Sequence, residues 1–162
     1  MATKVSKKLQ QAIDSLVIND VYLKASQAQC ADGFDPKFAN EEEGLLIQQM
    51  HTLRKTEVVK IEDNGELLRI YMSLGVRWIV AEDDVEQPDI KAFIEGDFIA
   101  EYQFNGQLDQ ACFDEFASKN ASYHVWPYWR EFLSAQCERM RLPRVVLPAV
   151  QFCKHEDAPS HR

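Results

Sequence analysis

Residues 123–152 read YHVWPYWREFLSAQCERMRLPRVVLPAVQF, a proline-containing amphipathic segment that ends in a second apolar run. Its large apolar side chains recur at spacings of three and four, which is one face of an α-helix. They are Val125, Tyr128, Trp129, Phe132, Leu133, Cys137 and Met140. Pro127 suits the first helical turn, where its missing N–H costs nothing, and Pro143 disfavours continuation of the helix through Leu142. So wide an apolar face needs a sheet or another subunit to cover it.

The residue pattern in the N-terminal third of the chain predicts one helix, one strand and a long connection. Lys4–Val17 has an amphipathic stripe and predicts a helix over residues 1–17, whereas Ile18–Gln27 alternates like a strand. The segment Ala28–Glu43 contains glycine, proline and an acidic run, and therefore predicts a loop. A loop this long inside a compact domain is often functional.

The middle of the chain predicts a hairpin and a fourth strand. Two strand-like runs, Leu45–Glu62 and Glu66–Glu82, flank Asp63-Asn64-Gly65, and Asn-Gly is a strong hairpin signal because both turn residues need positive φ. Ile90–Phe104 predicts the fourth strand, in which Gly96 indicates a bulge. A short helix over Leu108–Lys119 precedes the long one. The order predicts an α+β fold, a four-stranded antiparallel sheet with the long helix packed on it.

Length and charge restrict the function. The 162 residues predict a single domain, 1–162, with a polar tail at 154–162. The net charge of −8 argues against a nucleic-acid partner and against docking on an anionic membrane. The N-terminus lacks the apolar core of a secretory signal, and no apolar run is long enough to span a membrane. These features predict a soluble, cytoplasmic protein without membrane insertion.

Catalytic and metal-binding motifs are missing from the sequence. The four histidines, His51, His124, His155 and His161, have no ligand partner at helical spacing. The four cysteines, Cys30, Cys112, Cys137 and Cys153, form no CxxC pair. We therefore expect no catalytic residue, no metal site, no cofactor and no enzymatic activity.

The predicted loop holds two features that suit a binding protein. Glu41, Glu42 and Glu43 form either a solvated face or an acidic docking patch for a basic partner. Phe34 and Phe38 flank Pro36, and loop aromatics either fold back on the core or bind a ligand. Apolar loop residues next to strand edges favour the binding of polypeptide over a reaction.

Three segments resemble one protein family. WPYWRE, Trp126–Glu131, is similar to the family's helix start, and LPRVVLPAVQF, Leu142–Phe152, to the proline-rich segment that follows that helix. NDVYLKAS, Asn19–Ser26, resembles the family's first strand, and GFDP, Gly33–Pro36, its crossover loop. The family is that of the SecB export chaperones, and the resemblance spans most of residues 16–152.

The resemblance implies a fold, an assembly and an activity. It implies a four-stranded antiparallel sheet, a long packed helix and a dimer of dimers with the long helices at its centre. It also implies ATP-independent holding of unfolded preproteins. The client groove is then expected at Tyr22, Leu23, Phe34 and Phe38. The interface between copies is expected at Tyr128, Trp129, Phe132, Leu133, Gln136 and Met140.

The chain departs from the family at three places. The family's first strand carries two acidic residues that dock the translocation motor ATPase; here Asp20 matches the first, whereas Lys24 takes the second position. This reversal would turn attraction into repulsion. CKHEDAPSHR replaces the family's C-terminal helix, and the N-terminal helix is more pronounced than in the family. We expect that the N-terminal helix covers apolar surface which the missing helix leaves bare.

Four functions remain open on the sequence alone. They are a general holdase for export, a SecB-like chaperone that holds the antitoxin of a toxin–antitoxin pair, a small-ligand-binding or enzymatic domain with a pocket between sheet and helix, and an adaptor oligomer with one fixed partner.

Overall fold

The computed structural model describes residues 5–41, 44–63, 65–81 and 86–147, apart from the side chains of residues 40 and 41. The helices are α1 (Lys7–Ser15), α2 (Gln110–Lys119) and α3 (Ala121–Met140). The strands are β1 (Leu16–Cys30), β2 (Leu45–Ile61), β3 (Gly65–Val80) and β4 (Asp89–Phe104). A 3₁₀ segment, Pro36–Glu41, lies between β1 and β2. The predicted polar tail, Glu42, Glu43 and Cys153 lie outside the described residues.

The four strands form one antiparallel sheet in the order β1-β4-β3-β2. The connection between β1 and β2 therefore runs from one edge of the sheet to the other, which explains its length. β1 and β2 are the two edge strands, and each has one side without a partner strand among the described residues. The predicted α+β class and the four-stranded antiparallel sheet are confirmed.

The predicted hairpin is present, and its three-residue connection lies one residue earlier than predicted. β2 ends at Ile61, which pairs with Gly65 at the start of β3. Positive φ occurs at Asp63 (71°) and at Gly65 (76°), whereas Asn64 lies outside the described residues. Aspartate is among the residues that tolerate this conformation best, so the turn uses Asp63 as well as glycine.

The two faces of the sheet differ in character. The helices cover the face formed by the even-numbered residues of β3 and β4, which we call the helix face. The strand side chains of the core on this face are Leu68, Ile70, Met72, Leu74, Val76, Trp78, Ile94, Phe98 and Tyr102. The other face, which we call the polar face, carries ion pairs and hydrogen bonds between strands. Apolar and polar side chains therefore alternate along the strands, as expected for a sheet with one covered face and one solvated face.

The long helix begins six residues before Pro127, not at it. α3 starts at Ala121, and Pro127 lies inside it. Proline in a helix interior costs about 3 kcal/mol because it removes a hydrogen bond and crowds the preceding turn. Ala121 and Val125 are fully buried, so packing upstream of the proline offsets this cost.

The N-terminal helix is shorter than predicted. α1 covers Lys7–Ser15, and the predicted last turn instead begins β1, where Leu16 pairs with Phe104. The Ser6 side chain accepts a hydrogen bond from the Leu9 amide and caps the helix. Leu9 and Ala12 are buried in the main core, and α1 packs mainly on α2. The described contacts therefore agree with the expectation that this helix covers apolar surface.

We expect deletion of residues 1–15 to lower the melting temperature, because it exposes the core residues that α1 covers. Leu9→Ala should reproduce most of the effect, with a loss of roughly 2–3 kcal/mol in the free energy of unfolding. Ile13→Ala is the matched control, since Ile13 lies on the exposed side of the same helix. Thermal unfolding followed by circular dichroism measures all three, and equal losses for Leu9 and Ile13 would contradict this role.

The sheet contains bulges, but none at Gly96. The pairing register shifts around Asn19 and Lys24 in β1, around Arg54 in β2, and around Lys91 in β4. Gly96 instead keeps its register with Ser26 and with Leu74. The predicted bulge at Gly96 is therefore wrong, and the glycine has a packing role.

Candidate functional site

The predicted interface residues of α3 divide into two stripes. Trp129 and Leu133 are buried at 2% and 1% exposure in the chain's own core, which leaves little of either side chain for contact with a second copy. The stripe beside them is exposed at its first residue and partly buried at the others, and it repeats every fourth residue. We call it the α3 stripe; it consists of Tyr128, Phe132, Gln136 and Met140. The sequence places both stripes on one broad face, and only packing on the sheet separates them.

An aromatic cluster joins α3 to the helix face. The Phe98 ring makes edge contacts with Trp129 and with Phe132, at centroid distances of 6.3 and 6.2 Å. Gly96 leaves room for this cluster, because a Cβ there would lie 2.9 Å from the Phe98 ring and 3.3 Å from Leu23. Leu23 is therefore beside Phe132 and extends the α3 stripe to the edge strand β1.

The four residues predicted for one client groove do not lie together. Tyr22 and Leu23 are consecutive in β1 and point to opposite faces, since side chains alternate along a strand. Tyr22 pairs in register with Ile99 on the polar face, whereas Leu23 is on the helix face. In the crossover, Phe34 packs against the core, while Phe38 is 55% exposed. Of the two loop aromatics, Phe38 is the one available to a ligand.

The edge strand β2 carries apolar side chains that the sequence analysis did not single out. Ile47, Leu53 and Val58 are exposed and pair in register with core residues of β3, which places them on the helix face. We call these three residues the β2 row. Leu46 is exposed on the opposite face. In the sequence, these residues follow the apolar–polar alternation of any half-buried strand. Only the order of the strands in the sheet shows that they lie at an edge.

The polar face is organised by cross-strand pairs. Arg69 Nε donates to Glu101 Oε2 at 2.8 Å, and Arg77 Nη2 donates to Glu95 Oε1 at 3.2 Å. The Asn19 side chain donates to Glu101 as well, at 2.7 Å. These partners satisfy Glu101, which is almost fully buried.

The predicted acidic docking residues are dispersed. Asp20 is exposed in β1, and its carboxylate accepts a hydrogen bond from the Val21 amide at 2.8 Å. Glu41 ends the 3₁₀ segment, and Glu42 and Glu43 lie outside the described residues. Lys24 projects onto the polar face, where its Nζ lies 5.5 Å from the centre of the Tyr71 ring.

Two histidines at the start of α3 and in β2 make structural contacts. The Tyr102 hydroxyl lies 2.9 Å from His124 Nδ1, a distance at which it can donate to the unprotonated nitrogen. Ser122 Oγ lies 3.1 Å from His51 Nε2. Burial lowers the pKa of both histidines, and burial also raises the pKa of Tyr102. The neutral imidazole is therefore the form that the fold favours.

We expect the stability of the protein to fall as the pH drops below about 6.5, the ordinary histidine pKa. The folded-state pKa of His124 is lowered, so the unfolded chain binds more protons in this range and acid favours unfolding. His124→Gln should flatten the dependence of the free energy of unfolding on pH between about 7 and 5. Urea unfolding across this range tests it; an unchanged slope in the variant would contradict the assignment.

Among the described residues, no group of three or more histidine, cysteine, aspartate or glutamate side chains is arranged to hold a metal ion. Cys30, Cys112 and Cys137 are free thiols. Within the same part of the chain, no helix combines the length and apolar character that a membrane span requires.

Comparison with known proteins gives structural matches only. The sequence matches no protein-family model and no curated protein. A protein of unknown function from Streptococcus agalactiae aligns over 82% of this chain and 96% of that chain, with 10% identity. Its TM-score of 0.39 is too low to inform the fold.

A second solved structure is a SecB-like chaperone of Mycobacterium tuberculosis in complex with a ChAD peptide from an antitoxin. It aligns with a TM-score of 0.71 over 90% of this chain and 98% of that chain, at 16% sequence identity. Agreement over nearly the whole of both chains, in spite of low identity, is agreement in fold. The chain therefore has the fold of a SecB-like chaperone, as the resemblance of its sequence predicted.

Proposed function

We propose that the protein is an ATP-independent chaperone that holds non-native polypeptides along the edge strand β2. The observation that carries this proposal is the β2 row, which lies on a 17-residue strand with one unpaired side. An unfolded client exposes the complementary groups, which are apolar side chains and unpaired backbone. Backbone hydrogen bonds are independent of sequence, so such an edge accepts many clients.

Phe38 supports the same site. It is exposed in the 3₁₀ segment that precedes β2, seven residues before the strand begins at Leu45. A large aromatic ring at the entrance of the strand adds apolar area to which a client can bind. Phe34 then acts as the anchor that packs the crossover on the core.

The opposite edge suits contact with a second copy. The α3 stripe and Leu23 form a partly accessible, mainly apolar strip beside β1, whose outer side is unpaired among the described residues. Self-association through this strip would bury apolar area and leave β2 open to clients. We propose that the assembly, including the dimer of dimers that the resemblance implies, uses this side.

The fold shared with a chaperone bound to an antitoxin peptide supports a second candidate, a chaperone dedicated to one antitoxin. General export by way of a translocation motor remains the other form of the proposal. Lys24 favours the antitoxin chaperone over the export chaperone, because a cation in place of an acidic docking residue weakens attraction to a basic partner such as the motor. In either form the proposed site of action is the cytoplasm.

The test is suppression of aggregation of a chemically denatured client, without nucleotide. The wild-type protein should slow the client's aggregation, followed by light scattering, at chaperone-to-client ratios at or below one to one. The double variant Ile47→Ser and Leu53→Ser should require about tenfold more protein, because roughly 1.4 kcal/mol of lost apolar contact is a factor of ten. Val146→Ser is the control, since Val146 is more exposed than either and lies outside β2.

The same samples separate the alternatives. A protein that protects several unrelated clients is a general holdase, and one that protects only an antitoxin is a dedicated chaperone. Failure to slow the aggregation of any client would overturn the proposal. A small molecule retained in native mass spectrometry, or a single stoichiometric partner, would favour the ligand-binding or the adaptor alternative.

A further inference from the structure

The polar face carries a group of cations that the client site does not use. A cavity of about 390 Å³ on this face is lined by four charged side chains, Lys24, Arg54, Lys55 and Asp97, together with Tyr71 and Ser73. Three of the four charges are positive, in a chain whose net charge is −8. We call the three the cation group.

Strand bulges create the cation group. The register of β1 shifts at Lys24, opposite Asp97 and Phe98, and the register of β2 shifts at Arg54, opposite Tyr71 and Met72. Met72 pairs with Phe98, so the two bulges lie one residue pair apart along the sheet, on either side of Met72. A regular strand would send Arg54 and Lys55 to opposite faces, but the bulge directs both to the polar face.

The carboxylates near the cavity are already partnered. Asp97 accepts a hydrogen bond from the Ser73 hydroxyl at 2.5 Å, and Ser73 in turn accepts one from Arg54 Nε at 2.8 Å. Glu57 accepts from Tyr71 at 2.9 Å and from Lys55 at 3.3 Å. The hydrogen bonds found in the described structure use only Nε of Arg54, which leaves its two Nη groups for a ligand.

Lys24 is the second cation that is open to a ligand. Its Nζ lies over the face of Tyr71, and Lys55 Nζ lies over the same ring at 4.4 Å. No carboxylate of the described residues lies within ion-pair distance of Lys24. Glu57 already partners Lys55, so Lys24 is the cation beside this ring for which a bound anion would supply the counter-charge.

The shape of the site favours an extended chain. A second cavity of about 240 Å³ adjoins the first and shares Arg54, Ser73 and Asp97 with it. It adds Gln27 and Met50, which offer an amide and an apolar surface, and Glu95, whose carboxylate accepts a hydrogen bond from Arg77. Together the two cavities form a trough across the sheet that is larger than a single carboxylate or phosphate requires.

We propose that this trough binds an acidic segment of a polypeptide, whose carboxylates are held by Arg54 and Lys24. The site is separate from the β2 row, because it lies on the other face of the sheet. It would give the chaperone a second, charge-selective contact with its client or partner.

The test uses three fluorescent decapeptides of equal length, rich in Glu and Asp, in Gln and Asn, or in Lys, and measures binding by anisotropy. The acidic peptide should bind at low salt and weaken steeply as NaCl rises, and the other two should bind at least about tenfold more weakly. The double variant Lys24→Gln and Arg54→Gln should weaken the acidic peptide by about tenfold or more. Lys60→Gln is the control and should have little effect, because Lys60 is 86% exposed and belongs to the helix face of β2.

Several outcomes would overturn the proposal. Equal binding of the acidic and neutral peptides would do so, as would unchanged affinity in a double variant that keeps its wild-type melting temperature. If phosphate or glutarate displaced the peptide at an anion concentration close to the peptide's own dissociation constant, the site would be one for small anions instead. Tighter binding of a single-stranded oligonucleotide would show a nucleic-acid site. Aggregation suppression by the same variants should remain intact, so the client site and this site can fail independently.

Discussion

Replacing Trp129 by alanine should destabilise the protein by about 3–5 kcal/mol, the usual cost of removing a buried aromatic ring. Trp129 is 2% exposed, and its ring contacts both Phe98 and Phe132. The deletion leaves a cavity between α3 and β4 that the rigid sheet cannot close. A loss of this size is a large part of the 5–15 kcal/mol that typically stabilises a protein.

Thermal and urea unfolding of wild type and variant measure this effect. The melting temperature should fall by roughly 6–20 °C, since about 1 kcal/mol shifts it by 2–4 °C in a chain of this size. Phe38→Ala is the matched control, because it removes an aromatic ring that is 55% exposed and should cost under about 1 kcal/mol. Similar losses in the two variants would show that Trp129 is not a core residue.

Gly96→Ala should destabilise the protein by about 1–3 kcal/mol, the range expected for overpacking. The new Cβ would lie 2.9 Å from the ring of Phe98, which edge contacts with Trp129 and Phe132 hold in place. The ring can move only by disturbing those contacts. We therefore expect a lower midpoint in urea unfolding, and Phe98→Leu introduced together with Gly96→Ala should recover part of it.

Gly75→Ala is the control in the neighbouring strand. A Cβ at this position would meet Glu95 Cγ at 3.1 Å and Met50 Cε at 3.2 Å, which are parts of flexible side chains. These atoms can shift, so the variant should stay within about 0.5 kcal/mol of wild type. If Gly75→Ala proved the more damaging of the two, the packing role of Gly96 would be refuted.

The elements of the fold were predictable because their signals are local. Alternating side chains gave the strands, and Asp63-Asn64-Gly65 gave the hairpin between β2 and β3. The spacing of three and four around Trp129 gave the long helix. The start of α3 was not predictable in this way, because the burial of Ala121 and Val125 outweighs the local preference of Pro127.

The candidate sites were less predictable than the elements. The sequence singled out Phe38 as a loop aromatic, but it grouped Tyr22 with Leu23, which the pleat sends to opposite faces. It also placed Trp129 among the interface residues, although the residue is buried in its own chain. A pattern of apolar spacing cannot tell a residue that packs on the sheet from its neighbour on the rim of the same helix.

The sequence by itself determined the type and order of the helices and strands, and three short segments indicated the SecB-like fold. The helices and strands follow from interactions between residues close in sequence, and the three segments are short motifs that can be read directly from the sequence. The strand order, the bulges at Lys24 and Arg54, and the edge position of β2 were decided only by the tertiary structure. They depend on pairing between residues far apart in the chain, and that pairing sets which side chains share a face and which meet a partner.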